Sequence, residues 1–445
     1  MSAKQIARSL LVKTMLSPTS RAAAGWCSET RRRVLGQPHR INGFLQLDDP
    51  YSYLLSCWLP GLLQDYDIEL CLYLSESRGG EFQPAAGMLA EYAIEDCRRL
   101  ARELGVPFLD RGDSPPVEHR LAMLDALASC QGAANFNDEL LQALSVYWRG
   151  DAEAASRRHL GVESHGAADA VISKSQSVQR RLGHYSSATL CHANVWYWGI
   201  DRMPYLLERL HALGVARDAA AGPRPASLRQ AMQFNLPIVP PNAAKQLPPL
   251  ELFYSFRSPY SYLLLPRICK IADAFGLALR LRPVLPIVMR GMPLPRLKQF
   301  YILRDAKRVA EFHGMDFGNI RDPLGRGVER CHAVFHYAEA RQRGRNFLLH
   351  AGAAIWSLGI DVASDAGLKK VVAKTGLDWR DVETALDDNS WRVAAEENRE
   401  SMMASGAWGV PTIRLGDFIA WGQDRDWLLV RRIEELCDSG DGILI

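Results

Sequence analysis

In the second half of the chain the spacing of apolar and polar residues changes several times within a few dozen positions, and each change predicts an element. Leu252 to Phe256 is a short apolar and aromatic run suited to a buried strand. Ser258 and Pro259 then form a helix start, with Ser as N-cap and Pro at the first helical position, where its missing N–H costs nothing. The helical pattern runs to about Phe275 and stops at Gly276. Leu277, Leu279 and Leu281 alternate with Ala278, Arg280 and Arg282, the period of a strand. A strand-helix-strand unit implies parallel pairing through a right-handed crossover. From 297 to 404 the spacing is helical, with almost no strand signal. Pro411 follows, then Thr412 to Leu415, a Gly416-Asp417 turn, Phe418 to Trp421, and a last helix expected from Asp424. Two short strands around a tight turn predict a hairpin. The assembled order is βαβ, a helical block, then ββα.

The first half repeats this order, with Gly43 to Leu47, a helix from Pro50, and Ile68 to Leu74. Pro50-Tyr51-Ser52-Tyr53-Leu54-Leu55 recurs as Pro259-Tyr260-Ser261-Tyr262-Leu263-Leu264, an offset of 209. The same offset carries Tyr92 to Tyr301, Asp96 to Asp305, Arg99 to Arg308, Ala101 to Ala310, Gly105 to Gly314 and Phe108 to Phe317. Trp198-Gly199-x-Asp201-Arg202 matches Trp421-Gly422-x-Asp424-Arg425 at an offset of 223. One register held over such lengths reads as a tandem duplication. Residues 216 to 249 contain Gly222-Pro223, Pro225, Pro237, Pro240-Pro241 and Pro248-Pro249, a composition expected to be a linker without a helix. The expected division is a basic arm at 1–40, a first domain at 41–215, the linker at 216–249 and a second domain at 250–445, all of α/β class.

The arm carries Lys4, Arg8, Lys13, Arg21, Arg31, Arg32, Arg33 and Arg40 against Glu29 alone. It reads as a solvated helical extension packed on the first domain, with a transit peptide or an arm touching an acidic surface as the alternatives. Across the whole chain of 445 residues, 53 Lys and Arg against 50 Asp and Glu leave a net charge of +3, which argues against a nucleic-acid partner. The nine cysteines contain no C-x-x-C, so zinc knuckles and a dithiol redox pair lack their signature. Their thin spacing suits buried single thiols in a reducing compartment, and a cytoplasmic location is expected. No apolar run approaches the roughly 18 residues that a membrane span needs.

Ser258 is the sharpest candidate for chemistry. A hydroxyl at a helix N-terminus lies where backbone N–H groups and the dipole favour an anion, whether thiolate or phosphate. Lowering a thiol pKa by two units takes about 2.7 kcal/mol, within reach of one hydroxyl hydrogen bond plus a helix terminus. Val410-Pro411, placed just before a strand, suits either an ordinary trans loop or a cis peptide that turns the preceding backbone outward. Asp424 can cap the last helix or accept the ammonium of an amino-acid-like ligand. Cys331, His332 and His336 lack the H-E-x-x-H or C-x-x-C pattern of a metal site, so they read as core or surface residues and no metal is expected. Arg111-Gly112-Asp113 is too short to carry information.

Taken together, the Ser-Pro-Tyr-Ser-Tyr helix start, the helical insertion, Gly409-Val410-Pro411-Thr412, the hairpin and Trp-Gly-x-Asp-Arg resemble the 2-hydroxychromene-2-carboxylate isomerase and kappa-class glutathione transferase family. The resemblance covers essentially all of 250 to 440 and, more weakly, 43 to 210. It implies two tandem thioredoxin-like domains of the DsbA-like branch, each with a helical insertion. It further implies glutathione as cofactor, its thiolate held by Ser258, its cysteinyl backbone paired with Val410 beside cis-Pro411, and its γ-glutamyl end received by Gly422, Gln423, Asp424 and Arg425. The implied chemistry is conjugate addition of the thiolate to an unsaturated ring-opened or aromatic substrate, bond rotation and elimination. Tyr260 and Arg290 are the expected substrate contacts. Related enzymes pair as dimers, so the tandem implies an intrachain pseudo-dimer, with further homo-oligomerisation left open. The chain departs from the family in having Met289-Arg290-Gly291-Met292 where a Lys and a Gly-Asn pair are usual. The first copy departs more, with Asp49 at the place of Ser258 and Ser187-Ala188 at that of Val410-Pro411, and is not expected to hold glutathione. Two alternatives stand beside the isomerase: a DsbA-type thiol-disulfide oxidoreductase, which Ser258 and Ser261 argue against, and a non-catalytic binding protein.

Overall fold

The computed structural model describes residues 11–108, 117–149, 167–218 and 225–438. Lys4, Arg8 and Arg111-Gly112-Asp113 lie outside them. The chain divides into two compact units, Ala23–Gln233 with Pro295–Tyr301, and Met1–Ala22 with Phe234–Leu294 and Ile302–Ile445. The described part of the arm holds helix α1 (Pro18–Val34), where Glu29 binds both Arg32 and Arg33 at 2.7 Å. The arm is not packed on the first unit alone, as the sequence suggested. Val12 and Leu16 are buried and Arg21 pairs with Glu311 of the second unit, because this stretch has a small apolar face that its charge count conceals.

The first unit continues with β1 (Arg40–Leu45), α2 (Pro50–Ser56), α3 (Leu59–Asp65), β2 (Glu69–Leu74), α4 (Ala86–Leu104), α5 (Val117–Cys130), α6 (Phe136–Arg149), α7 (Ala167–Leu182), β3 (Thr189–His192), β4 (Val195–Trp198), α8 (Met203–Ala212) and α9 (Pro225–Ala231). The single helix expected from Pro50 is two, because Pro60 has no N–H to continue the ladder and instead opens α3. Helix α9 lies inside the expected linker and corrects that reading. Pro225 is tolerated in a first helical turn, the six residues after it contain no Pro or Gly, and Leu228 is fully buried.

The second unit comprises β5 (Leu250–Tyr254), α10 (Pro259–Phe275), β6 (Leu279–Pro283), α11 (Arg296–Phe312, of which the part to Tyr301 clusters with the first unit), α12 (Arg326–Glu339), α13 (Gly344–Trp356), α14 (Asp365–Thr375), α15 (Trp379–Ala385), α16 (Trp391–Ala404), β7 (Thr412–Leu415), β8 (Phe418–Trp421) and α17 (Asp426–Asp438). Strand β5 ends at Tyr254 because Ser255 N–H leaves the sheet and donates to Ser261 Oγ at 3.4 Å. Strand β6 begins at Leu279, since Leu277 N–H still closes the α10 terminus onto Ala272 O. Helix α17 starts two residues later than expected, after a turn in which Gly422 has φ 108°.

Each unit holds a four-stranded mixed sheet, ordered β2-β1-β3-β4 and β6-β5-β7-β8. The central strand pairs parallel to the strand after the first helical segment and antiparallel to the hairpin. Ile41 faces Leu70 as Leu250 faces Leu279, and Ile41 faces His192 as Leu250 faces Leu415. Helix α10 buries Leu263, Leu264, Leu265, Ile268, Ile271 and Phe275, each worth about 1.5 to 3 kcal/mol on full burial. All nine cysteines are free thiols, four of them buried, while Cys27 and Cys57 are exposed, contrary to a reading of uniformly buried thiols. No helix of the described residues is long and apolar enough to cross a membrane.

Two buried carboxylates tie these layers together. Glu251 on β5 accepts from Arg282 of β6 at 2.6 Å and from Arg414 of β7, and both guanidiniums lie over Phe253, at 5.9 and 5.2 Å from the ring centre. Burial opposes the Glu251 charge, but the two arginines outweigh it and hold the carboxyl below its ordinary range. In the helical block, Asp305 accepts the Tyr260 hydroxyl at 2.8 Å and pairs with Arg308 at 2.5 Å. The first unit has the same tie, Tyr51 to Asp96 at 2.7 Å.

A lowered native pKa contributes stability that is present above the unfolded value and lost as pH falls through the native one. Glu251→Gln is therefore expected to destabilise the second unit by about 3 kcal/mol at neutral pH. The deficit should shrink as pH drops below the ordinary glutamate range in urea melts, and a constant deficit would contradict the assignment. Tyr260→Phe strips a hydroxyl from buried Asp305 and should cost about 2 kcal/mol in the same melts.

Candidate functional site

Strand β5 delivers the chain to the N-terminus of α10 at the edge where β6 also ends, and Val284 N–H donates to Tyr254 O at 2.8 Å beyond the last ladder pair. Ser258 is the N-cap, with extended backbone at φ −104°, ψ 114°, and its Oγ accepts from Ser261 N–H at 3.1 Å. It is half-buried, and its hydroxyl lies 3.5 Å from Val410 O. That contact is long, so the proton of Ser258 is free to turn to a stronger acceptor. Arg257, one residue earlier, is fixed by a bidentate pair with Asp322 at 2.8 and 3.0 Å.

The Val410–Pro411 peptide is cis. Thr412 Oγ1 donates to Gly409 O at 2.6 Å, and a Cβ on Gly409 would come within 2.6 Å of the Trp421 indole nitrogen, so only glycine lets the loop approach that ring. Gly422 N–H donates to Pro411 O at 2.9 Å, which carries the Gly422–Arg425 turn alongside the cis-proline loop. Within that turn, the Gln423 side-chain amide donates to the Asp424 carboxylate, and Arg425 Nη1 donates to Asp424 O at 3.3 Å. Ser258, Val410, Pro411, Gly422, Gln423, Asp424 and Arg425 are thus linked by a chain of hydrogen bonds and adjacent residues.

Tyr260 is half-buried, and its hydroxyl proton is committed to Asp305. Arg290 ends a short 3-10 turn after β6 and stands apart from the linked set. Its Nε is buried without a hydrogen-bond partner, and burial together with the neighbouring Arg399 charge lowers its pKa against the pull of Glu396. A half-buried cation beside a second cation is a favourable position for an anionic group. His332 is a core residue between Phe256 and Trp391, and burial pushes its imidazole down to about 3, so it is neutral. His336 is exposed. Among the described residues no cluster of three or more His, Cys, Asp or Glu could hold a metal.

The equivalent place in the first unit is built differently. Asp49 caps α2, accepting from Tyr51 N–H at 3.1 Å and from the hydroxyls of Ser52 and Ser187 at 2.7 Å each. Ser187 is held in turn by Ser77, at 2.7 Å between hydroxyls. Burial raises the Asp49 pKa, while the Ser187, Ser52 and Tyr51 donors oppose the rise. The carboxylate itself takes up the donors that a bound anion would need.

Arg267 of α10 escaped the sequence reading. It binds Asp426 at 2.8 Å, Gln423 O at 2.6 Å and His313 at 2.9 Å. A basic residue on the otherwise apolar stretch Leu263–Ile268 was the available signal.

Residues 249–434 match the family of DsbA-like thioredoxin domains. The 2-hydroxychromene-2-carboxylate isomerase of Pseudomonas putida is 26% identical over 196 residues, which cover 42% of this chain and 95% of that protein. The protein of the same name from Pseudomonas sp. (strain C18) is 25% identical over 188 residues, 40% of this chain and 87% of its own. A solved structure of 2-hydroxychromene-2-carboxylate isomerase aligns with 43% of this chain and 96% of its own at 26% identity and a TM-score of 0.38. The second unit is a DsbA-like thioredoxin domain, similar in sequence to 2-hydroxychromene-2-carboxylate isomerases.

Proposed function

We propose that the second unit is a glutathione-dependent isomerase acting on an unsaturated aromatic or ring-opened carboxylate, of the kind named in its curated relatives. The observation that carries this reading is the half-buried Ser258 hydroxyl, at a helix N-terminus and only loosely engaged with Val410 O, inside a domain similar to those isomerases. The site fits the thiol: Ser258 offers an uncommitted proton, and the α10 terminus favours negative charge. Bound glutathione would supply a nucleophilic sulfur that adds to the substrate double bond and leaves again, so bond rotation occurs with no net redox.

Each residue then has a defined task. Ser258 donates to the thiolate and lowers its pKa. Val410 presents main-chain groups to the cysteinyl backbone beside Pro411. Gly422, Asp424 and Arg425 receive the γ-glutamyl end, with the Asp424 carboxylate facing its ammonium, and Gln423, only 2% exposed, contributes through the Asp424 carboxylate to which its amide donates. Arg290 faces the substrate carboxylate, and the Tyr260 ring supports the aromatic portion. Thiol-disulfide exchange is disfavoured because Ser258 and Ser261 occupy the two positions a dithiol would need.

The chain also reads as a duplication whose first copy has lost the thiol site. Matching strand order, matching register and the paired Tyr51–Asp96 and Tyr260–Asp305 ties support this. In the first unit Asp49 already holds the local donors that a thiolate would need.

Calorimetric titration with reduced glutathione is expected to give one site per chain, weakened about tenfold in Ser258→Ala, the loss of one charge-assisted hydrogen bond. The parent should isomerise 2-hydroxychromene-2-carboxylate only when glutathione is present. No heat at millimolar glutathione, or two equal sites, would overturn the reading.

A further inference from the structure

Arg267 Nη2 donates to both oxygens of one residue, Gln423 O at 2.6 Å and Gln423 Oε1 at 2.5 Å. Arginine has no acceptor, so it fixes which end of the Gln423 amide faces it. The amide nitrogen is left pointing to the Asp424 carboxylate, to which it donates. Gln423 is only 2% exposed, so the amide has no freedom to turn over. Arg267 is itself anchored from the other side, by Asp426 Oδ2 at 2.8 Å and by His313 Nε2, which must be the acceptor, at 2.9 Å.

The first unit supplies an internal comparison. At the offsets of 209 and 223, Asp424 and Arg425 are retained as Asp201 and Arg202. The four residues of the network are all replaced by apolar ones: Arg267 by Trp58, His313 by Leu104, Gln423 by Ile200 and Asp426 by Met203. Ile200 and Met203 are buried in the core there. The first unit therefore forms the corresponding turn with apolar packing, so a turn of this kind does not require the network. It is present as a whole beside the serine cap and absent as a whole beside the aspartate cap.

We propose that Arg267 is a positioning residue that sets the orientation of the Asp424 carboxylate through Gln423, and so determines selectivity for a thiol carrying a γ-glutamyl end. This rests on the glutathione reading of the same site. Arg267 touches neither thiol nor substrate and acts on the distant, amino-acid end of the ligand.

The test compares two thiols by calorimetry on the full chain: glutathione, and cysteinylglycine, which lacks the γ-glutamyl group. Arg267→Met should weaken glutathione about tenfold and leave cysteinylglycine within about twofold. Arg267→Lys, which keeps a donor, should recover part of the loss. Removing Arg267 leaves Asp426 buried without its partner, so Gln423→Ile, the residue found in the first unit, serves as a second variant that keeps the Arg267–Asp426 pair. It is expected to show the same selective loss. Equal weakening of both thiols in Gln423→Ile would mean a merely structural role and would overturn the proposal. So would variants that bind both thiols as the parent does. A parent that binds neither thiol overturns the proposal together with the glutathione reading, whereas a parent that binds glutathione with unchanged variants overturns the positioning role alone.

Discussion

The free N–H groups at the start of α10 are the constraint around which the second unit is arranged. A parallel β5-α10-β6 crossover must present that helix terminus at the edge where both strands end, and the groups there require an oxygen acceptor. Ser258 meets the requirement with a neutral hydroxyl that accepts from Ser261 N–H and keeps its own proton nearly free. Asp49 meets it in the first unit with a carboxyl that also takes the hydroxyls of Ser52 and Ser187. One cap leaves the terminus able to stabilise an incoming anion, and the other neutralises it internally. This exchange, with the replacement of Val410-Pro411 by Ser187-Ala188, separates the proposed thiol site of the second unit from its equivalent in the first.

The rest of the second unit holds that terminus in place. Tyr260, two residues into the site, is tied to Asp305 in the helical block, and Arg257, just before it, is clamped by Asp322. On the far side, β7 and β8 bring the cis-proline loop and the Gly422–Arg425 turn together through the Gly422 N–H to Pro411 O bond. The Glu251 carboxylate between Arg282 and Arg414 locks the three strands that carry these pieces. The site is therefore built on strand ends and helix ends with buried polar ties behind them, the arrangement that keeps hydroxyl-to-ligand geometry narrow.

Much of this was legible in the sequence because it rests on local rules. The Ser-Pro cap, the Gly276 stop, and the Thr412–Leu415 and Phe418–Trp421 hairpin appear where residue type and spacing put them. The misplacements arise where tertiary contacts overrule those rules. Helix α9 forms inside a proline-rich stretch because Leu228 finds a buried site, and α17 begins late because the Gly422–Arg425 turn is held by other elements. The arm's burial at Val12 and Leu16 was hidden beneath its charge. The candidate residues Ser258, Val410 and Asp424 were marked by motif, whereas Arg267 was not, because its partners Gln423, Asp426 and His313 are far away in the chain and meet only in the fold.

The central claim is that the α10 terminus and Ser258 stabilise a thiolate. The most direct measurement is a pH titration of bound glutathione, followed by thiolate ultraviolet absorbance against the free thiol. The account predicts that the bound thiol titrates about two units below the ordinary value of about 8.5, with most of that shift lost in Ser258→Ala. A bound thiol that titrates at or above its free value would contradict it.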